Sequence, residues 1–362
     1  MAKVLVAMSG GVDSSVCAWL LKQQGYDCIG VTMQLYENET VGRCSGHTCC
    51  SLDDVEDARS VAYRIGIPYY VFNFKEAFEQ EVIQRFVQAY ETGLTPNPCI
   101  DCNRFMKFEH LYRRARELGC DYIATGHYAQ ICQDPETGRY LLKKGPDPKK
   151  DQSYVLYAMT QEQLAHTLLP LGSMKKEEVR RIAEEQGFIN ARKHDSQDIC
   201  FVPDGDYTEF LTRHTGKEYP EGDFVDTRGN VLGRHKGIIH YTIGQRRGLG
   251  IPAEHRLYVL RKDVENNRVI LGEEDELMTA AFEADDLNMI SLEQLDAAVP
   301  LHVSIRYHQK PQPATVIPVG GNRVRVELEK PQRGIAPGQA AVFYDGENVA
   351  GGATIRACFT AG

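Results

Sequence analysis

Four stretches of the chain hold side chains whose types and spacing can do chemistry. Residues 9–15, SGGVDSS, form a glycine-rich turn between an apolar run and a helical apolar pattern. Cys99 and Cys102 form a C-x-x-C in NPCIDCNRF, and Cys200 stands about 100 residues on, in DSQDICFVPDG. Cys44, His47, Cys49 and Cys50 crowd RCSGHTCCSLDD. A C-x-x-C suits zinc, iron–sulfur, redox exchange or sulfur transfer alike. Cys200 alone reads more readily as a small buried hydrophobe than as a catalyst. The 44–50 stretch offers four soft ligands without a standard zinc spacing, so a loop is its simpler account.

The turn has its own chemistry. Gly10 and Gly11 let the backbone bend tightly and aim amide hydrogens inward, Ser9, Ser14 and Ser15 add hydroxyls, and the helix starting near Val12 adds its positive end. Together they make an anion nest fit for phosphate oxygens. Asp13 is a negative charge in that nest, sensible there if it binds Mg²⁺ or fixes the loop. The segment has no Walker A lysine and no G-x-G-x-x-G.

These residues need elements to hold them. Lys3–Ala7, Cys28–Met33, Pro68–Phe72 and Tyr122–Thr125 read as strands, alternating with helices at Val12–Gln24, Leu52–Ile65, Ala77–Tyr90 and Phe105–Leu118. Gly25 is placed to end the first helix. This order predicts an α/β domain with a doubly wound parallel sheet, whose ligands sit beyond the carboxyl ends of the strands. Cys99 and Cys102 would precede the Phe105 helix and gain from its positive end and from Arg104. A further helix is expected over Met174–Gln186, capped by Ser173, with Lys175–Glu178 in exposed turns. From about 205 glycine and short alternating segments dominate, HKGIIHYTIGQRRGLGI being strand and turn material. Period-two strands follow from about 282. The expected division is a catalytic domain at 1–204, a small central domain at 205–280 and a C-terminal antiparallel β-barrel at 281–362, the last two expected to meet the large partner that the local basic patches serve.

The chain has 362 residues, 42% of them hydrophobic, enough for sizeable cores, and it contains no apolar run long enough to cross a membrane. Met1-Ala2-Lys3 leads straight into Val4–Val6 without a cleavage-site pattern, so the cytoplasm is the expected compartment, with no membrane partner. Eleven cysteines, an odd number, argue against a purely disulfide-stapled secreted fold. Cys17, Cys28, Cys120, Cys132 and Cys358 lie in or beside apolar segments, where packing accounts for them. A formal charge of −9 excludes a chain that is basic all over, yet leaves room for local patches. Lys143, Lys144, Lys149 and Lys150 form one, Arg246 and Arg247 a second, and Arg306, His308 and Lys310 a third. Each is either a solvated loop or a set of phosphate contacts.

The turn SGGVDSS resembles the pyrophosphate loop of the PP-loop ATP pyrophosphatase superfamily, adenine nucleotide alpha-hydrolase-like in fold. GVTMQLY, CCSLDDVEDARSVAYRIGIPYYVFNF, TPNPCIDCNRFMKF, DYIATGHYA, KDQSYVLY, SQDICFV and HYTIGQRRGLGI extend the likeness over nearly the whole chain, to the tRNA 2-thiouridylase family within that superfamily. The resemblance implies an ATP- and Mg²⁺-dependent sulfurtransferase that replaces the C2 oxygen of the wobble uridine of tRNA, for instance tRNAs for Lys, Glu and Gln, with a cysteine desulfurase or sulfur-relay protein as persulfide donor. It implies nucleotide contacts by Ala7, Met8, Ser9, Gly10, Gly11, Val12, Asp13, Ser14, Met33 and Gly126. It implies tRNA contacts by Asn97, Pro98, Cys99, His127, Lys150, Asp151, Gln152, Arg306, Tyr307 and Gln339. Cys200 resembles the persulfide-bearing cysteine and Cys102 its partner in a disulfide-forming cycle. Cys99 stands where some members have an aspartate. Cys99, Cys102 and Cys200 therefore also suit three irons of a [4Fe-4S] cluster. Two further alternatives are another PP-loop synthetase, which would not need Cys102 and Cys200, and a noncatalytic metal-containing RNA-binding protein, which leaves SGGVDSS unexplained.

Overall fold

The computed structural model describes residues 1–37, 52–193, 199–202 and 205–360. The chain divides into two compact units, one of residues 1–83, 98–206 and 347–349, the other of 84–97, 207–346 and 350–362.

In the first unit, β1 (Lys3–Ala7), β2 (Asp27–Gln34), β3 (Tyr69–Asn73) and β4 (Tyr122–Ala124) precede a hairpin of β5 (Ala129–Gln133) and β6 (Tyr140–Lys144), and then β7 (Thr167–Leu168). The parallel sheet runs β3-β2-β1-β4-β7. The expected doubly wound sheet is therefore present, with its order reversing at β1 and β4. Val4, Leu5 and Val6 of β1 are fully buried, as a central strand covered by helices on both faces requires. The helix Val12–Gln23 packs Val16, Cys17 and Leu21 into that core and ends at Gly25, whose φ of +85° suits glycine.

Three local expectations differ from the structure. The helix expected from Met174 starts at Lys176. Ser173 is not its cap; the Lys175 amide donates to the Glu178 carboxylate at 2.8 Å instead. The chain is already helical from Pro98, so Cys99 and Cys102 lie inside a helical run rather than ahead of it. That run is π-helical over Cys102–Leu111, a wider winding than the regular helical spacing anticipates. The glycine-rich stretch after Lys236 forms only one short 3₁₀ turn, Ile238–His240, before the next strand opens at Tyr258.

In the second unit, β8 (Gly222–Val225), β9 (Val231–His235), β10 (Tyr258–Asp263) and β11 (Arg268–Gly272) make a small sheet in the order β10-β11-β8-β9. Six strands follow: β12 (Met278–Met289), β13 (Val299–Ser304), β14 (Gln312–Gly320), β15 (Arg323–Arg333), β16 (Ala340–Asp345) and β17 (Asn348–Thr360). They run β12-β15-β14-β13-β16-β17, and β17 pairs back onto β12, so the antiparallel barrel expected from the sequence is closed and has no free edge. Its interior is filled by Phe282, Val303, Val316, Val326, Phe343 and Ile355.

Candidate active site

The glycine-rich turn sits where β1 ends. Gly10 has φ +75°, and a Cβ there would lie 2.3 Å from the Asp54 carbonyl oxygen, so two independent constraints demand glycine. The loop's acceptors are occupied. Asn190 Nδ2 donates to the Gly10 carbonyl and to Ser15 Oγ, both at 2.9 Å, and the Ser14 and Ser15 hydroxyls donate to the Gly11 carbonyl at 3.0 Å. Its donors are not: among the described residues no backbone amide from Gly10 through Ser14 has a protein acceptor. Five successive open amides at the start of a twelve-residue helix form an anion nest.

Asp13 fixes this loop. Its carboxylate accepts from Lys176 Nζ at 2.7 and 2.8 Å and from the Tyr128 hydroxyl at 2.6 Å. The Lys176 side chain is only 9% exposed. Of the two roles open to Asp13, this geometry fits loop fixation; a Mg²⁺ ion held by Asp13 does not fit a carboxylate already gripped by an ammonium and a phenol. The cation that a Walker loop carries within itself arrives here from a helix 163 residues away. The expectation that 175–178 fill exposed turns fails at Lys176 for that reason. A lysine in the first helical turn opposes the helix dipole, a local cost that could have signalled a distant partner.

A second cation lies behind the turn. Lys193 Nζ bonds Asp54 at 2.5 Å, Asp57 at 2.7 Å and the Gly10 carbonyl at 3.4 Å. Burial alone would lower its pKa, but the hydrogen bonds and charges of the two aspartates outweigh that and raise it. Asn190 Oδ1 is buried without a partner among the described residues, an acceptor left over beside the loop. Sequence reasoning missed Tyr128, Lys176, Asn190 and Lys193; all lie at long range from the turn they hold.

Met8 and Val12 are core residues, and the Met8 carbonyl accepts from Thr32 Oγ1 at 2.5 Å, so both bound the nest from below. Ser9 is exposed, and Ala7 and Met33 are half-buried at the ends of β1 and β2. Gly126 follows β4, and a Cβ there would lie 2.8 Å from the Asp13 carbonyl carbon and 2.9 Å from the Ser14 nitrogen. Next to it, His127 is buried, with Nδ1 2.7 Å from Thr125 Oγ1 and Nε2 3.4 Å from Lys107 Nζ. An ammonium can only donate, so Nε2 accepts and Nδ1 carries the proton. Burial, reinforced by Lys107, lowers the His127 pKa well below its usual value, so the ring is neutral.

Lys107 also bonds Asn103 Oδ1 at 2.8 Å and so ties the Gly126–His127 turn to the helix that Cys102 begins. Cys102 is half-buried and Cys99 exposed. Arg104, expected to serve the thiolates, lies 5.2 Å from the Phe105 ring. Cys200 is half-buried and tethered: the Tyr36 hydroxyl donates to its carbonyl at 2.9 Å, and buried Phe201 packs edge-on against Phe78. Among the described residues no three histidine, cysteine or carboxylate side chains converge as a metal ion requires. Cys99, Cys102 and Cys200 thus do not form a ready-made ligand triad. Cys44, His47, Cys49 and Cys50 lie outside the described residues. Burial pushes the Cys17 thiol far up and those of Cys28 and Cys358 up to about 11, which leaves them inert as nucleophiles.

The residues expected at RNA have mixed settings. Asp151 accepts from the Gly145 and Ser153 amides at 3.0 and 3.1 Å, and burial raises its pKa. Gln152 accepts from the Tyr128 amide at 3.0 Å, so both side chains are spent on shaping the loop after β6. Lys150 is half-buried and Pro98 buried. In the other unit, Arg306 donates to the Gly334 carbonyl at 2.7 Å, and the rings of Tyr307 and His308 lie 3.8 Å apart. Gln339 donates to the Thr95 and Pro96 carbonyls at 3.1 and 3.3 Å, which secures the approach to Asn97.

Family models match residues 2–204 (described as a tRNA methyl transferase HUP domain), 208–273 (a tRNA methyl transferase PRC-barrel domain) and 279–355 (an aminomethyltransferase beta-barrel domain). The chain is 52% identical to the tRNA-specific 2-thiouridylase MnmA of Clostridioides difficile over 354 residues, 98% of each protein. It is 52% identical over 355 residues to the enzyme of that name from Acetivibrio thermocellus, covering 98% of this chain and 99% of that one. A Thermoanaerobacter relative, MnmA 1, is 53% identical over 356 residues, again 98% of each.

Proposed function

The chain belongs to the tRNA-specific 2-thiouridylase family, and from that premise we propose that it uses ATP to replace the C2 oxygen of the wobble uridine of tRNA with sulfur. Identity along the whole chain, rather than the methyl transferase wording of the domain descriptions, sets the reaction. The observation that carries the assignment is the open amide nest at Gly10–Ser14, its carbonyls consumed and its donors unspent.

The nest, with Asp13, Gly126 and the flanking residues 7–9, holds the pyrophosphate part of ATP, and Met33 borders the adenine. The uridine C2 oxygen attacks the α-phosphorus, and pyrophosphate leaves into the amides, which are organised for developing negative charge. The terminal sulfur of a Cys200 persulfide then attacks C2 and expels AMP. Cys102, as thiolate, attacks the Cys200 sulfur. The sulfur–sulfur bond breaks, its outer sulfur stays on C2 as the thiocarbonyl, and a Cys102–Cys200 disulfide remains for a two-electron thiol reductant to reset. Neutral His127 lies between nucleotide and base. Asn97, Pro98 and Cys99 border the target uridine, which must leave its stack. Arg306, Tyr307 and Gln339 take the anticodon arm, and the loop of Lys150, Asp151 and Gln152 meets the tRNA with the Lys150 side chain, its shape set by the other two.

Mg²⁺ arrives on the ATP phosphates, since Asp13 is engaged by Lys176 and Tyr128. The sulfur donor is a persulfide-carrying protein, the substrates include tRNAs for Lys, Glu and Gln, and the reaction belongs in the cytoplasm. Three functional domains, 1–204, 205–280 and 281–362, divide the work. Among the described residues no helix is long and apolar enough to cross a membrane.

Cys200→Ser should bind ATP and tRNA and form no 2-thiouridine, as nucleoside mass spectrometry reads it. Cys99→Ser should retain thiolation, and iron-free protein should work. Loss of activity in both of these would shift the mechanism to a cluster on Cys99, Cys102 and Cys200. Normal thiolation by Cys200→Ser would overturn either route.

A further inference from the structure

A basic concavity lies in the other unit, between the 3₁₀ turn Ile238–His240 and β10. The stretch from Arg246 to Leu257 folds around a cavity of about 220 Å³ whose wall carries Arg246, His255 and Arg256, with no carboxylate among its lining residues. In a chain of net charge −9, three cationic or potentially cationic side chains share one concavity, and the acidic residue of the stretch, exposed Glu254, is not among its lining residues. None of the three has an ion-pair or hydrogen-bond partner among the described residues. The backbone is just as open: no amide from Arg246 through Leu257 donates to a protein acceptor among the described residues. Gly248 and Gly250, at φ +78° and +69°, supply the left-handed turns that aim successive amides to one side.

The loop is nonetheless built. Gln245 Oε1 accepts from the Thr242 amide at 2.9 Å, and its Nε2 donates to the Arg247 carbonyl at 3.0 Å. Backbone bonds from Gly244 to the Val259 carbonyl at 2.8 Å, and from Val259 to the Gln245 carbonyl at 3.0 Å, close its neck. Leu249, 8% exposed, anchors its floor. Two guanidiniums, an imidazole and unspent amides around a shallow polar cavity match one ligand chemistry, a phosphate oxyanion.

We propose that this cavity seats a backbone phosphodiester of the tRNA and contributes affinity without reading sequence. The proposal rests on tRNA being the substrate. Arginine pairs grip phosphate bidentately, and phosphate contacts fix register rather than identity.

The test uses the full chain and the double variant Arg246→Gln/Arg256→Gln, both exposed positions whose loss leaves the fold intact. Unmodified tRNA binding is titrated across salt concentrations, and inorganic phosphate binding is measured by calorimetry. The expected result is a Kd raised roughly tenfold near physiological salt and a log–log salt slope shallower by about one phosphate contact. The weakening should be equal for a tRNA with a substituted wobble base, and turnover at saturating tRNA should be unchanged. A variant that binds tRNA as the wild type does, with the same slope, overturns the proposal. Phosphate binding that disappears in the variant while tRNA affinity stays intact would assign the cavity to a free anion, again overturning it. Wild-type protein without affinity for tRNA would overturn the substrate assignment as well, so the two failures are distinguishable.

Discussion

Two lysines, one in each unit, show what a charge is doing where it lies: Lys176 is buried, and Lys262 is half-buried with its Nζ out of solvent. Lys176 reaches Asp13 with both carboxylate oxygens within 2.8 Å, and Tyr128 completes the cluster. Lys262, on β10, has no hydrogen-bond partner for its buried Nζ among the described residues; the ring of Tyr90 lies 5.8 Å away, and Tyr90 itself stacks on Tyr207. Burial alone lowers Lys262 to about 8. A paired ammonium holds a loop in shape; an unpaired one is a standing cost. The first belongs to a site that must meet polyphosphate, the second to packing.

Removing the Lys176 charge should have the largest effect. Among the described residues Lys176→Met leaves the Asp13 carboxylate with the Tyr128 hydroxyl alone, and should cost ~3 kcal/mol in urea unfolding and slow AMP release on the order of a hundredfold. A loss below ~1 kcal/mol would mean the pair holds nothing. Gly126→Ala tests the same loop through packing rather than charge. Its Cβ would fall 2.8 Å from the Asp13 carbonyl carbon, so a destabilisation of ~2 kcal/mol and a similar fall in turnover are expected, with tRNA affinity preserved.

The opposite sign is expected at Lys262. Its folded pKa of about 8 lies below the unfolded 10.5, so between those values the unfolded chain binds more protons and stability rises with pH. Lys262→Met should raise stability by ~1–2 kcal/mol at pH 7 and remove that rise, as thermal melts from pH 7 to 10.5 would record. A destabilised variant would mean that the Tyr90 contact outweighs burial. The smallest effect should come from Tyr128→Phe, which deletes one hydrogen bond to Asp13 and should cost ~0.5–1 kcal/mol, leaving AMP release within about tenfold of normal.

The same contrast explains what could be read from the sequence. SGGVDSS and its neighbouring strands were legible because the nest is local: glycine freedom, a helix start and a strand end all lie within residues 3–15. The parallel sheet and closed barrel were legible from alternation and turn residues. Lys176 was not, since its partner lies 163 positions away and its own neighbourhood, SMKKEE, looks like an exposed first turn. Asn190 and Lys193 were hidden likewise. The π-helical winding from Cys102 was also unreadable, because sequence periodicity near 3.6 hardly separates it from an ordinary helix. The thiols were visible as residue types, whereas the tether of Cys200 through Tyr36 and Phe201 is a tertiary fact.

The central claim is that ATP is spent on the uridine oxygen. Unmodified tRNA carrying ¹⁸O at C2 of the wobble uridine should be incubated with the protein, ATP, Mg²⁺ and a persulfide donor, and the nucleotide and nucleoside products analysed by mass spectrometry. The account predicts that the label leaves the tRNA in AMP, one ¹⁸O for each 2-thiouridine formed, together with unlabelled pyrophosphate. Label appearing in water or remaining in the tRNA, or ADP and orthophosphate as the nucleotide products, would contradict it.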